Sequence, residues 1–489
     1  MQRKFLTSLS LIVLLNLLVK PFYILGIDAE VQIRVGEEVY GNYFSLLNFS
    51  FLLNILLDLG ITNYNTRNIA QHPQLLQKHF FKILSLRLSL FILYATFTLL
   101  SGLLVGYSQY EFYLLSILMV NQFLVAIIQF SRSNFAGLHL FKTDAVISIL
   151  DRSLLIVFCS VLLWTNLMGD TFRIEWFVYA QTLAYGLSAL ISLGILSNKV
   201  GRMRLEIKRT FSRAVLKKSF PYALLIFLMM MYNRVDAVML ERLLPDGNVQ
   251  SGVYAQGFRI LDAVNMFALL FAGLLLPIFS RLIKQKENVR EMMELAFRIL
   301  IVVSMITGIF GFWYQHELMQ LRYPGVTEAS GITFGFLILS FIPVSVTYVF
   351  GTLLTANGSL RHLNLMAVFG VVLNIILNFI LIQSMKAEGA ALATLITQIV
   401  TALIQMVLVY AIFRMKININ LLWRILIFPA IIIGLLLGAQ LVDLGITALQ
   451  QMMIFILLSV VLAVVLGLFR IADIKQLLIR SGGEEDQGD

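Results

Sequence analysis

The sequence predicts an all-α integral membrane protein of about fourteen transmembrane helices, arranged as two six-helix lobes plus two extra C-terminal helices. Three observations carry this expectation. Apolar side chains make up 59% of the 489 residues and charged ones only 13%, with a mean hydropathy of +0.87, which leaves too little polar surface to clothe a soluble body of this length. Apolar runs long enough to cross a bilayer recur from one end of the chain to the other. The basic residues gather in alternate loops.

The first span is expected at Phe5 to Ile27, behind the basic pair Arg3 and Lys4. Lys20 and Pro21 stand where a small-residue cleavage site would be needed, so this reads as a retained span and not a signal peptide. Five more complete the first lobe: Tyr40 to Gly60, Ile83 to Gly106, Phe112 to Phe130, Val146 to Leu167 and Trp176 to Leu196. The second lobe is expected at Phe220 to Leu240, Gly252 to Phe279, Leu295 to Tyr314, Thr333 to Thr355, Leu365 to Ser384 and Ala390 to Phe413. Leu422 to Leu441 and Leu449 to Phe469 follow. The chain therefore divides into an N-terminal lobe at 1–198, a cytoplasmic basic linker at 199–218, a C-terminal lobe at 219–416, two further spans at 417–470 and a cytoplasmic tail at 471–489.

With both ends in the cytoplasm, about 25 basic residues lie in inside loops and tails against about 5 outside. The linker alone holds Lys199, Arg202, Arg204, Lys208, Arg209, Arg213, Lys217 and Lys218. This topology accounts for the net charge of +10, and no nucleic-acid partner is implied by it.

Weak internal similarity supports two parallel repeats. Tyr40-Gly41-Asn42-Tyr43 opens span two and Ser251-Gly252-Val253-Tyr254 opens span eight, six spans later. Gly434 and Gly438 make a Gly-x-x-x-Gly spacing, a weak signal for close helix packing.

Charges inside spans are costly, about 2.5–3.5 kcal/mol on insertion scales, and persist where they face water or a partner. Lys20, Arg234 and Arg259 are candidate cations for an anionic ligand, and Asp236 and Asp262 are candidate sites for a coupling cation. Lys20 and Arg234 each lie about fifteen residues into the first helix of their lobe, a matched depth that points both at one cavity. Arg259 and Asp262 share a helix face and can neutralise each other, whereas Arg234 and Asp236 cannot share one. Asn48, Asn54, Asp58, Asn233 and Asn265 could hydrogen-bond sugars or simply pack the bundle. Arg87, Arg152 and Arg298 are expected to snorkel from cytoplasmic ends.

Several chemistries are missing. There is no phosphate-binding loop of the Gly-x-x-x-x-Gly-Lys-Ser/Thr type and no Gly-x-Ser-x-Gly elbow. The five histidines are scattered, and Cys159 is the only cysteine. No resident cofactor is expected. No outside loop is long enough to fold as a domain, which disfavours a membrane glycosyltransferase or polymerase.

Val39-Tyr40-Gly41-Asn42-Tyr43-Phe44, Leu57-Asp58-Leu59-Gly60-Ile61 and Thr66-Arg67-Asn68-Ile69-Ala70 resemble the N-terminal signature of the polysaccharide flippase family. That family belongs to the multidrug/oligosaccharidyl-lipid/polysaccharide exporter superfamily. Arg234-Val235-Asp236-Ala237-Val238-Met239-Leu240 and Glu388-Gly389-Ala390-Ala391-Leu392-Ala393-Thr394 resemble its patterns in spans seven and twelve. The resemblance implies a V-shaped pair of lobes whose cavity is lined by spans one, two, seven and eight. It implies a bacterial inner-membrane flippase for undecaprenyl-diphosphate-linked oligosaccharide units, serving O-antigen, lipopolysaccharide or capsule assembly. Transport would proceed by alternating access driven by H⁺, Na⁺ or the membrane potential. Polysaccharide polymerase and chain-length machinery are the partners it suggests. Two readings within the superfamily stay open: a lipid II-type flippase and a multidrug or cation antiporter.

The topology makes a direct prediction. Reporter fusions after Lys217 and Arg480 will read cytoplasm, and fusions after Arg34 and Pro245 periplasm. A periplasmic signal at Lys217 would overturn the arrangement.

Overall fold

The computed structural model describes residues 15–62, 65–66, 69, 74–138, 140–165, 172–200, 209–441 and 445–468. Expectations placed on residues 1–14, on Arg67 and Asn68, on 201–208 of the linker and on the tail from 469 lie outside them. Among the described residues the chain is helical, without strands. Eleven helices are long and apolar enough to cross a bilayer. One of them, Leu360–Ile412, has 53 residues, about 80 Å of helix at 1.5 Å per residue, more than twice the hydrocarbon thickness. It breaks at Lys386, whose φ of 51° is non-helical, so it consists of two helices, which correspond to spans eleven and twelve. Gly389 makes that break possible, because a Cβ there would lie 2.3 Å from the Leu381 carbonyl oxygen.

The first two expected spans are not among the eleven, and each is interrupted. Residues 15–22 are helical, and Pro21 removes one backbone donor. A π-helical turn, Tyr23–Asp28, follows and runs into α1, Ala29–Val35. Span two is α2, Glu37–Leu52, followed by the short α3, Ile55–Asp58, which ends on Leu59 and Gly60 at positive φ.

The chain forms two compact units, one reaching Gly252 and the other starting at Val253. In the first, α4 (Leu75–Val105), α5 (Gln109–Gly137), α6 (Phe141–Trp164) and α7 (Ile174–Val200) pack on one another, and α5 and α7 pack against α2. The helix of span seven, α8 (Arg209–Leu243), joins this unit by packing along α2. The start of α9 (Gly247–Gln285) also belongs to it. There the backbones come very close. A Cβ on Gly41 would sit 1.8 Å from the Asn248 carbonyl oxygen, and one on Gly252 would sit 2.1 Å from that of Glu37. Gln32 Nε2 donates to the Gly252 carbonyl at 2.9 Å across the same contact. The paired glycines of the internal repeat are thus the two residues that let α2 and α9 touch.

In the second unit α10 (Val289–Trp313), α11 (Gln315–Arg322), α12 (Glu328–Leu339), α13 (Phe341–Ala356) and α14 (Leu360–Ile412) form the bundle. The last two helices, α15 (Ile419–Gln440) and α16 (Ala448–Val465), lean on α10. Asn418 ties α15 down, capping its Leu421 amide and donating to Glu294 at 3.0 Å. Among the described residues nothing lies within 4 Å of a Cβ built on Gly434 or Gly438, so that spacing marks no helix contact among them, contrary to the sequence expectation.

Gly41→Ala will lower the thermal midpoint of the detergent-solubilised full chain, by an overpacking cost of about 1–3 kcal/mol. Gly434→Ala, with open space around it, will leave the midpoint unchanged.

Candidate functional site

The break in span two governs the polar geometry of the first unit. Asn54 donates its amide to the Phe51 carbonyl at 3.1 Å instead of to Ser50, so the Ser50 carbonyl loses its helical donor. Tyr94 of α4 supplies one, its hydroxyl donating to Ser50 O at 2.9 Å. Gln122 of α5 completes the junction. Its Oε1 accepts from Asn54 Nδ2 at 2.8 Å and its Nε2 donates to Ser50 Oγ at 3.3 Å. Asn54 therefore braces the broken helix here.

Asp58, one turn on, holds Arg87. Nη2 of Arg87 lies 2.5 Å from Asp58 Oδ1 and 2.8 Å from Thr62 Oγ1, and Nη1 donates to the Ala126 carbonyl at 3.2 Å. The guanidinium also stacks on Phe130 at 5.2 Å. Arg87 is 1% exposed, so it does not snorkel, contrary to the sequence expectation; a carboxylate on a neighbouring helix fixes it in the interior.

Arg234 projects from α8 toward α2. Its Nη1 donates to Asn48 Oδ1 at 3.4 Å and its Cζ lies 5.3 Å over the Phe51 ring. Asn48 is oriented by its own donation to the Phe44 carbonyl at 2.8 Å. Two residues along a helix turn about 200°, so Asp236 faces another way, and it is fully buried. Asn233 donates to the Met229 carbonyl on its own helix.

Lys20 belongs to a different group. It is in electrostatic range of Asp151 and Arg152 on α6 and of Arg132 on α5. Arg132 is neutralised by Asp144 at 2.8 Å. Arg152 lies between Tyr23 and Tyr185, 4.8 and 5.5 Å from their ring centres, donates to the Tyr185 hydroxyl at 2.9 Å and has Asp151 3.8 Å away. Arg152 is thus flanked by two aromatic faces, with its side chain 28% exposed. Lys20 and Arg152 are two cations of this group, with Asp151 beside them. Nearby, Tyr40 donates to buried Asp28 at 2.7 Å.

In the second unit Arg259 and Asp262 form the expected pair, at 3.8 Å, with both side chains partly exposed.

A further cluster escaped the sequence reading. Arg242 at the end of α8 bridges Glu241, 3.0 Å away, and Glu111 on α5, 3.3 Å away. Ser45 of α2 donates to Glu241, and Asn42 of α2 donates to Glu111 at 3.4 Å. The Arg242 guanidinium lies 4.2 Å over Tyr107. Burial and the nearby Glu241 carboxyl raise the Tyr107 hydroxyl above its ordinary range, so it stays neutral. The only signal in the sequence was the acidic residues at two span ends. Among the described residues no group of three metal-ligating side chains occurs.

A family model described as polysaccharide biosynthesis protein matches residues 7–283, more than half of the chain. An uncharacterised membrane protein of Methanocaldococcus jannaschii is 23% identical over 403 residues, covering 78% of this chain and 92% of that protein. The lipid II flippase MurJ in an inward closed conformation superposes with a TM-score of 0.67 at 14% identity, covering 94% of this chain and 97% of that one. An inward-facing multidrug resistance MATE family transporter of the MOP superfamily gives 0.59 at 13% identity, over 81% and 96%. A MOP superfamily transporter from Pyrococcus furiosus, described as having a binding pocket of reversed polarity, gives 0.56 at 15%, over 84% and 95%. At these identities the likeness is one of fold.

The buried pair yields a stability prediction. Arg87→Ala strands Asp58 in the bundle and will destabilise the protein by about 3–5 kcal/mol. Arg87→Met with Asp58→Asn, which removes both charges, will recover most of the loss. Thermal unfolding of the three proteins in one detergent measures the difference.

Proposed function

Because the chain belongs to the polysaccharide biosynthesis protein family, we propose that it carries undecaprenyl-diphosphate-linked oligosaccharide units from the cytoplasmic to the periplasmic leaflet. The fold is that of a multi-pass membrane transporter, alike to flippases and exporters of the MOP superfamily. The observation that carries the substrate reading is the gathering of Lys20, Arg152 and Arg132 within apolar helices. An amine kept in a low-dielectric interior, beside one aspartate and two arginines, is strongly drawn to an added anion. A lipid diphosphate supplies that anion without having to leave the bilayer.

In this reading Lys20 grips the diphosphate. Arg152, held flat between two tyrosines, stands beside it as a fixed second charge. Arg234, presented with Asn48, offers donors and an acceptor suited to phosphate or sugar oxygens, and Arg259 does the same in the second unit. Asn54 is occupied in bracing span two and contributes through that geometry. Asp236 and Asp262 are proposed to bind the coupling cation, H⁺ or Na⁺. The two lobes would alternate about the linker, in a bacterial inner membrane with both termini cytoplasmic, handing product to the polysaccharide polymerase.

Charge-assisted contacts of this kind contribute about 1.5–3 kcal/mol, a factor of roughly 10 to 100 in capture. Lys20→Ala and Arg234→Ala will therefore cut glycan export by that factor while the protein still accumulates in the membrane. Lys20→Arg will keep part of the activity, because charge survives while donor geometry changes. Normal export by both alanine variants at normal protein levels would remove the diphosphate grip from the account.

A further inference from the structure

The cluster at the outer end of span seven has an unbalanced charge. Two carboxyl groups, Glu111 and Glu241, share one guanidinium, and both contact the same Nη2 of Arg242. Held on one nitrogen, two ionised carboxylates repel each other at short range, and a proton bound by one of them removes that repulsion.

The surroundings say which. Glu111 caps its own helix, accepting from the Ser108 amide at 2.6 Å in the first turn of α5, where the helix dipole favours negative charge. It also accepts from Asn42 and Arg242. Glu241 sits at the opposite kind of helix end, the C-terminus of α8, and its side chain is 4% exposed. Glu111 is the lasting anion and Glu241 the proton carrier.

The groups facing Glu241 are few. Arg242 comes from its own helix, Glu111 from α5 and Tyr107 from the turn before it; α2 supplies the neutral Ser45 and Asn42. Tyr107 closes the cluster from the turn before α5: it is 7% exposed and its ring lies against Arg242.

We propose that Glu111 and Glu241 hold one exchangeable proton between them, and that this proton locks the outer end of span seven against spans two and four. With the proton bound, Glu111, Arg242 and Glu241 sum to zero charge, and Ser45, Asn42 and Tyr107 close around them. When the proton leaves to solvent past the partly exposed Arg242, the same groups sum to −1 and two carboxylates repel at short range. Span seven is then released from α2 and α5. The lock assigns a proton-binding role to residues outside the Asp236 and Asp262 pair. Its place in a transport cycle rests on the function proposed above; the lock itself does not.

The test uses the full chain in lipid nanodiscs without substrate. Spin labels at Val39→Cys and Pro245→Cys, with Cys159→Ala, report the distance between the start of α2 and the end of α8, while infrared difference spectra report protonated carboxyl. In the otherwise native protein a protonated-carboxyl band will vanish as pH rises, and the distance will lengthen over the same pH interval. Glu241→Gln keeps a neutral donor in place, so it will lack that band and hold the short distance at every pH. Should that variant misfold, Glu111→Gln removes the other half of the pair and must also give a pH-independent short distance. A distance that does not follow pH in the native protein, a titrating band that persists in Glu241→Gln, or a pH-dependent movement that persists in either glutamine variant would overturn the proposal.

Discussion

Within a bilayer every polar group taken out of water must find its partner in the protein. That constraint shapes the first unit more than any single contact. Span two breaks after Leu52, and the freed Ser50 carbonyl is recovered by Tyr94 from one helix while Gln122 from another holds Asn54. Asp58, past the break, has its charge met by Arg87. The tyrosine, glutamine and arginine are spread over α4 and α5, so satisfying one broken helix fixes two others against it. Lipid-facing residues such as Ile92 at 67% and Leu104 at 91% exposure ask for no partner and tolerate free rotation.

Packing then sets how closely helices approach. Gly41 and Gly252 allow α2 and the start of α9 to touch backbone to backbone. This contact brings Gln32 to the Gly252 carbonyl. Along α2, the same helix presents Ser45 to Glu241 and Asn48 to Arg234. One helix thereby carries the packing seam, the outer charge cluster and the arginine proposed to meet substrate. A small change in its seating alters all three together.

Much of this was legible in the sequence. Hydropathy located spans three to fourteen, and the resemblance between Tyr40-Gly41 and Ser251-Gly252 marked the two glycines that meet. The pairing of Arg259 with Asp262 followed from helical spacing alone. The failures share one cause. Arg87 was read from depth along its own helix, but its fate is decided by Asp58 on another helix. Periodicity carries no information about a partner 29 residues away. Glu111 and Glu241 were passed over because each ends a span and looks like an ordinary interfacial acid. The break at Lys386, by contrast, falls between the two spans that hydropathy separates there.

The proposed function assigns an anionic lipid cargo to positive charge held in apolar surroundings. The most direct measurement is leaflet-to-leaflet movement of a fluorescent undecaprenyl-diphosphate oligosaccharide in vesicles containing the purified chain, beside a lipid II analogue and an organic cation. The account predicts rapid movement of the diphosphate-linked oligosaccharide, slower movement of lipid II and none of the cation. Movement of the cation without the oligosaccharide would contradict it.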